Sequence, residues 1–241
     1  MQSNVLVIGA SGGIASALLK QLNEDEHVHS LVSVSRSDVA PLSDKHQHHV
    51  FDSSSEAKVE AFVKEQKGKQ RFTHVICCTG VLHSSGKLML KPEKRLEDIN
   101  AEQLSEYFRV NTIVPAIWVK HAVNIINKDK ATIIVFSARV GSISENRLGG
   151  WYGYRASKAA LNMIMKTAAV EYKRRSPNTA LVCYHPGTVD TELSKPFQAN
   201  VKPSKLFTPD FTVEQLIKHT LSLDPEDSPF YLDWEGKTIN W

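Results

Sequence analysis

Tyr154 and Lys158, in the run Tyr154-Arg155-Ala156-Ser157-Lys158, are the residues whose types and spacing most directly promise chemistry. On a helix, positions i and i+4 share one face about one turn apart. A free phenol titrates near ~10, too high for proton exchange at neutral pH. An ammonium ~4 Å away favours the phenolate by up to ~4 kcal/mol at an effective dielectric of ~20. Half of that lowers the phenol pKa by more than about one unit. The spacing therefore predicts a tyrosine that works as general acid and base, tuned by its lysine. Upstream, Pro115 has no N–H, so the carbonyl of Asn111 loses its i+4 donor. That free carbonyl offers a seat to a water, and the water a proton path toward Lys158.

A second group suits a phosphate-bearing ligand. Gly9-Ala10-Ser11-Gly12-Gly13-Ile14-Ala15 lies between an apolar strand-like run and a helical pattern. Gly9 permits a tight turn, and Gly12 and Gly13 remove side chains where a pyrophosphate must approach the backbone. The helix start adds free N–H groups and the positive end of a dipole. At the end of the second strand-like run stands Ser35-Arg36-Ser37, where an acidic residue would bind the ribose hydroxyls of NAD. Arg36 can fork onto a 2′-phosphate instead, with the neighbouring hydroxyls adding hydrogen bonds, which favours NADP. Asp38 keeps NAD as the minority option.

The glycine spacing G-x-x-x-G-x-A, followed far downstream by Y-x-x-x-K, resembles the short-chain dehydrogenase/reductase family, over nearly the whole chain. The resemblance implies that Ser11 and Ile14 join Gly9, Gly12 and Gly13 in the cofactor turn. Asp52 looks like the family's adenine-contacting aspartate, with Ser53 beside it. Cys78-Thr79-Gly80 stands where the family usually has Asn-Ala-Gly, and Gly80 keeps the backbone near the cofactor. Asn111 matches the family's asparagine, and Lys158 also holds the nicotinamide ribose. Pro186-Gly187-Thr188-Val189-Asp190-Thr191 matches the P-G-x-x-x-T turn, in which the backbone near Val189 and the Thr191 hydroxyl hold the carboxamide. The family's catalytic serine is displaced. Counting back from Gly141 puts Ala138 in the usual slot of Ser-Ser-x-x-Gly, so Ser137 is taken as the residue that polarises the substrate carbonyl, with Ser142 as the alternative.

Gly149-Gly150-Trp151-Tyr152 and the ending Asp233-Trp234-Glu235-Gly236-Lys237-Thr238-Ile239-Asn240-Trp241 look like the C-factor and sniffer-type carbonyl reductases. The implied activity is hydride transfer between NADP and a small-molecule carbonyl substrate. The alternative, favoured by Ala138, is an NADP-binding regulatory or cell-signalling protein with little or no catalysis. Trp151, Phe197 and Phe207 are candidates for an apolar pocket over the nicotinamide.

These residues need elements to hold them. Strand-like runs at Val5–Ile8, Leu31–Val34, His49–Phe51, His74–Cys77, Thr132–Phe136, Ala180–Tyr184 and Phe230–Leu232 alternate with helical patterns. The helical patterns run through Ala15–Leu22, Glu56–Lys67, Ala101–Ile126 with an interruption near Pro115, Gly153–Arg174 and Val213–Leu223. Continuously apolar strands imply burial on both faces, and strand–helix alternation implies an α/β fold: a single Rossmann domain over 1–241 with a doubly wound, mostly parallel, seven-stranded sheet. The irregular stretch at about 190–211 is expected to form a substrate loop. Gly153–Tyr172 is apolar around much of its circumference, which predicts pairing with a second subunit in a homo-oligomer, a dimer or a tetramer.

The 241 residues are 41% hydrophobic and 23% charged, which excludes wholesale disorder. A net charge of +3 is too weak to argue for nucleic acid. No apolar run approaches the ~18 residues of a membrane helix. Met1-Gln2-Ser3-Asn4 lacks the basic start of a signal peptide, and the three cysteines, Cys77, Cys78 and Cys183, read as buried reduced thiols. The expectation is a cytoplasmic protein. His46, His48 and His49 read as surface histidines beside an edge strand rather than as a metal site, with His46 and His48 on one face.

Overall fold

The structure, a computed structural model, describes residues 3–85 and 89–241; Met1 and Gln2 of the N-terminal run lie outside the described residues. Along the chain come β1 (Ser3–Ile8), α1 (Gly13–Glu24), β2 (Val28–Ser35), β3 (His46–Val50), α2 (Glu56–Gln66) and β4 (His74–Cys77). A short antiparallel pair, β5 (Ser84–Ser85) and β6 (Met89–Leu90), precedes α3 (Ala101–Phe108) and α4 (Val114–Ala122). Then follow β7 (Ala131–Phe136), α5 (Tyr152–Arg175), β8 (Thr179–His185), β9 (Thr188–Val189), β10 (Leu206–Phe207), α6 (Pro209–Thr220) and β11 (Phe230–Asp233).

Seven strands form one sheet in the order β11-β8-β7-β4-β1-β2-β3, and every pairing in it is parallel. Strand alternation sends successive side chains into two cores. Leu6, Ile8, Val75, Ile133, Val135 and Leu181 pack with Phe62 of α2, Trp118 of α4 and Leu161 of α5. Val5, Val7, Ile76, Ile134 and Val182 pack with Leu18 of α1 and Leu216 of α6. The sheet is therefore wound on both faces, as expected. The strand order reverses between β1 and β4, which opens a crevice at their carboxyl ends.

Several boundaries differ from the sequence reading for physical reasons. β3 starts at His46, because His46 pairs with Leu31 of β2 and is buried; it is not a surface histidine. The break in the long helix lies ahead of Pro115, as a π turn over Arg109–Ile113 in which the Val114 N–H donates five residues back to the Arg109 carbonyl. Pro115 itself sits in the first turn of α4, where its missing N–H is tolerated. α6 begins at Pro209, because the Thr208 side chain caps it by accepting from the Phe211 N–H. The pair β9–β10, unread in the sequence, ties Thr188–Val189 to Leu206–Phe207 and fastens both ends of the 190–205 stretch.

Candidate active site

The glycine turn lies at the mouth of the crevice. Gly9 has φ +84°, and a Cβ there would stand 3.1 Å from Thr79 Cγ2, so only glycine lets the β1 and β4 termini approach this closely. Gly12 caps α1 without a side-chain hydrogen bond, and the first turn of α1 holds no acid. Its N–H groups and dipole are left for an anion. A Cβ on Gly13 would be 2.9 Å from Thr191 Cγ2, so the turn rests directly on the Pro186–Thr191 segment.

A cleft of about 750 Å³ runs from this turn past Ser11, Arg36, Asp52 and Ser53 to Gly80. Burial alone would raise the Asp52 pKa, but the Ser54 N–H at 2.9 Å, with Arg36 and Arg109 nearby, holds it below the usual carboxylate value. Arg109 also faces the cleft, forked onto Glu106 at 2.7 and 2.6 Å. Arg109 was missed in the sequence; its only trace there is a position two residues before Asn111. The cleft, the bare helix start and the Cβ-free turn fit a dinucleotide, for which Ser11–Ile14 could hold the pyrophosphate and Arg36 and Asp52 the adenosine end.

A second cavity of about 280 Å³ adjoins the first, and Cys78, Thr79 and Gly80 line both. Its walls include Ile14, Tyr154, Lys158, Pro186, Gly187, Val189 and Thr191. The two halves of the motif set, some 140 residues apart in sequence, thus meet in one crevice. Gly187 has φ +77°, and a Cβ there would lie 2.6 Å from the Phe207 ring. Phe207 does not line the cavity as expected; it packs behind Gly187 and against Trp234, ring centroids 4.4 Å apart. Trp151 and Phe197 do line it, 5.1 Å apart, with Trp151 6.2 Å from Tyr154.

α5 brings Tyr154 and Lys158 to one face, both buried. Lys158 Nζ donates to the Phe136 carbonyl at 2.7 Å and stands 5.9 Å from the centre of the Tyr154 ring. Burial pushes the Lys158 pKa down to about 8. Burial, with Tyr231 adding to it, raises that of Tyr154. This corrects the electrostatic expectation. The ammonium is engaged by a backbone carbonyl, desolvation dominates, and the phenol keeps its proton. Asn111 acts as a brace: its Nδ2 donates to the Val81 carbonyl (3.0 Å) and Ser157 Oγ (3.1 Å), and its Oδ1 accepts from the Val81 N–H (2.8 Å). The π turn, the β4 loop and α5 are fastened together by this one side chain.

Of the two candidate serines, Ser137 lines the second cavity with Tyr154 and Lys158, while its hydroxyl is already engaged. Ser137 continues the parity of Ile133 and Val135, so its hydroxyl points toward α5 and donates to Asn162 Oδ1 at 2.6 Å. Ser142 is buried and bonded to the Glu145 N–H and Ser144, away from both cavities. Ala138 takes the place beside Tyr154, packed with Leu82 and Tyr107.

Two further residues set the frame. Glu93, 1% exposed, accepts from the Gly153 N–H through Oε2 and from the Trp151 N–H through its carbonyl, and so caps α5 from outside the helix. Arg139 joins Asp233 (2.6 Å) and Glu145 (2.8 Å), locking the loop after β7 to the C-terminal turn. Neither is legible from spacing, since each acts across more than 50 residues or through a loop. Among the described residues, no group of three or more His, Cys, Asp or Glu is arranged to hold a metal ion, and no helix is long and apolar enough to cross a membrane.

Comparison with known proteins agrees with this geometry. The chain is 28% identical to a 1-hydroxy-2-glutathionyl-2-methyl-3-butene dehydrogenase of Rhodococcus sp. over 99% of this chain and 100% of the relative. It is 29% identical to a benzil reductase ((S)-benzoin forming) of Saccharomyces cerevisiae, over 92% and 85%. It is 33% identical to the C-signal of Myxococcus xanthus, over 44% and 58%. In fold it matches the carbonyl reductase Sniffer of D. melanogaster with TM-score 0.85, at 21% identity over 100% of both chains. It also matches the NADPH-bound carbonyl reductase from chicken fatty liver with TM-score 0.83, at 23% identity over 100% and 99%. Residues 3–202 fit the model of the short chain dehydrogenases, and with its parallel sheet, glycine turn and Tyr154–Lys158 pair the chain belongs to that family of oxidoreductases.

Proposed function

We propose that this protein is an NADP-dependent carbonyl reductase acting on a carbonyl flanked by apolar or aromatic groups. The observation that carries the reading is the junction at Cys78–Gly80, where the cleft holding Arg36 opens into the aromatic cavity holding Tyr154. The bound nicotinamide supplies the hydride. The rest falls to the chain. Gly9, Ser11, Gly12, Gly13 and Ile14 seat the pyrophosphate, Arg36 meets the 2′-phosphate, and Asp52 and Ser53 close on the adenosine end. Pro186, Gly187, Val189 and Thr191 fix the ring end, and Gly80 lets it approach. Tyr154, kept neutral by burial, donates the proton to the nascent alkoxide through its hydroxyl. Lys158 holds the ribose and, with Asn111 bracing the π turn, returns the proton from solvent. The NADPH-bound fold relative and the benzil-reducing relative support the choice of cofactor and substrate class.

Ala138 favours a second reading, in which the chain binds NADP for regulation or signalling and turns over little. The C-signal likeness points the same way. NADPH oxidation against a panel of aldehydes, ketones and diketones, with Tyr154→Phe as control, separates the two. Turnover abolished by Tyr154→Phe supports the reductase; tight NADPH binding without turnover on any of them supports regulation. We also propose a cytoplasmic homo-oligomer paired through α5, on which Met163 and Val170 are 62% and 64% exposed.

A further inference from the structure

β3 is an edge strand, and its histidines reach across to the serines of β2. Ser33 Oγ, fully buried, lies 2.8 Å from His46 Nε2 and 2.7 Å from His48 Nδ1. The two ends of this chain fix the direction of every bond in it. The Leu42 N–H can only donate, and it stands 3.2 Å from His46 Nδ1. His46 Nδ1 is therefore an acceptor, the His46 proton is on Nε2, and it is given to Ser33 Oγ. At the far end the Ser37 carbonyl can only accept, and His48 Nε2 stands 3.1 Å from it. His48 therefore carries its proton on Nε2 and accepts the Ser33 hydroxyl at Nδ1. Four hydrogen bonds run one way, from Leu42 to Ser37, through the two imidazoles. Burial, with His48 beside it, holds the His46 pKa below its ordinary value, which keeps that ring neutral.

The chain ends on the turn that carries Arg36. Ser35 Oγ donates to the same Ser37 carbonyl at 2.5 Å and lies 3.3 Å from His48 Nε2. Two donors thus draw the Ser37 carbonyl inward toward the sheet. Ser35 and Arg36 line the cleft at this point. A carbonyl oxygen turned to the cleft would face the oxygens of a 2′-phosphate and repel them; bound inside, it leaves Arg36 to meet the anion. We propose that the His46–Ser33–His48 chain is a positioning device for the Ser35-Arg36-Ser37 turn, which makes Ser33 and His48 determinants of NADPH preference over NADH. The proposal rests on the NADP reading given above.

The test is the affinity of the purified full chain for NADPH, NADH, 2′,5′-ADP and 5′-AMP, by titration. His48→Phe removes the donor to Ser37, and Ser33→Ala deletes one hydroxyl that touches no cleft wall. Each variant is expected to weaken NADPH and 2′,5′-ADP by about 5-fold, with NADH and 5′-AMP within about twofold of the parent. In an Arg36→Leu background, His48→Phe is expected to add no further loss, because the chain acts through that arginine. Should His48→Phe fail to fold, Ser33→Ala decides. An unchanged NADPH-to-NADH ratio, or equal loss for both, in a parent that prefers NADPH overturns the positioning role alone. A parent that binds NADPH no better than NADH overturns the NADP reading, and the proposal with it.

Discussion

The crevice has two ends built in different ways. The dinucleotide end is centred on backbone: a turn at Gly9–Gly13, the start of α1, and a loop after β4, with the Arg36 and Asp52 side chains at its far edge. The reaction end is made of side chains from α5, the loops after β7 and β8, and the 190s segment. A backbone-made site demands missing side chains at fixed spacing, and the sequence states those absences openly. A side-chain-made site depends on which way each residue points when its strand ends, and residue type does not state direction. Arg36 lines the cleft at the end of its strand; Ser137 lines the cavity too, but its hydroxyl is given to Asn162.

The comparison breaks first at Tyr154. Tyr154→Phe should lower kcat for carbonyl reduction by about 10²–10⁴ while leaving NADPH binding intact, since only the proton donor is removed. Steady-state kinetics with a parallel cofactor titration decides it; equal turnover would place the proton donor elsewhere.

Next comes the vacant serine slot. Ala138→Ser places a hydroxyl beside Tyr154, and removal of an oxyanion donor generally costs about 10²–10³. The reverse change should raise kcat/KM by about tenfold or more, whereas Ser137→Ala should act on stability through Asn162 rather than on rate. A rate loss in Ser137→Ala with an unmoved melting temperature would restore Ser137 to the reaction.

At the opposite end, Arg36→Leu should weaken NADPH by about tenfold or more and leave NADH nearly unchanged, in line with the loss of charge-assisted hydrogen bonds. Parallel titrations of the two cofactors read this directly, and equal weakening would detach Arg36 from the phosphate.

The smallest effect is on stability. The folded pKa of Lys158 is lowered from 10.5 to about 8 by burial, so the unfolded chain binds more protons between those values and stability rises with pH across that window. The charged amine is a burden below pH about 8. Lys158→Met should therefore be more stable than the parent at pH 7, by on the order of 2 kcal/mol, and the gap should shrink as pH rises toward about 10.5. Denaturant melts at several pH values test it; a gap that does not narrow would mean that the ammonium is not buried at a net cost.

Legibility followed the same division. All seven main strands and their parallel winding were readable, because runs such as Val5–Ile8 and Ala180–Tyr184 are apolar at every position, as burial on both faces requires. His74–Cys77 was placed to the residue. Less readable was β3, whose His46 and His48 look polar until Ser33 is known to lie beneath them. The π turn at Arg109–Ile113 was visible only as a kink, since a helical period cannot reveal one added residue. The hold of Glu93 on α5 and of Arg139 on Asp233 left no trace in spacing at all.

The sequence by itself determined the alternation of elements, the Cβ-free turn, the cationic end of β2 and the shared helix face of Tyr154 and Lys158. Each follows from local sterics or a local period, which a linear string preserves. Tertiary structure alone decided that Asn162 engages the Ser137 hydroxyl at the cavity wall, that Ala138 meets the tyrosine, and that burial pushes the phenol pKa up. Those outcomes depend on which groups exclude water from which others, and that is settled only when distant segments close over the same space.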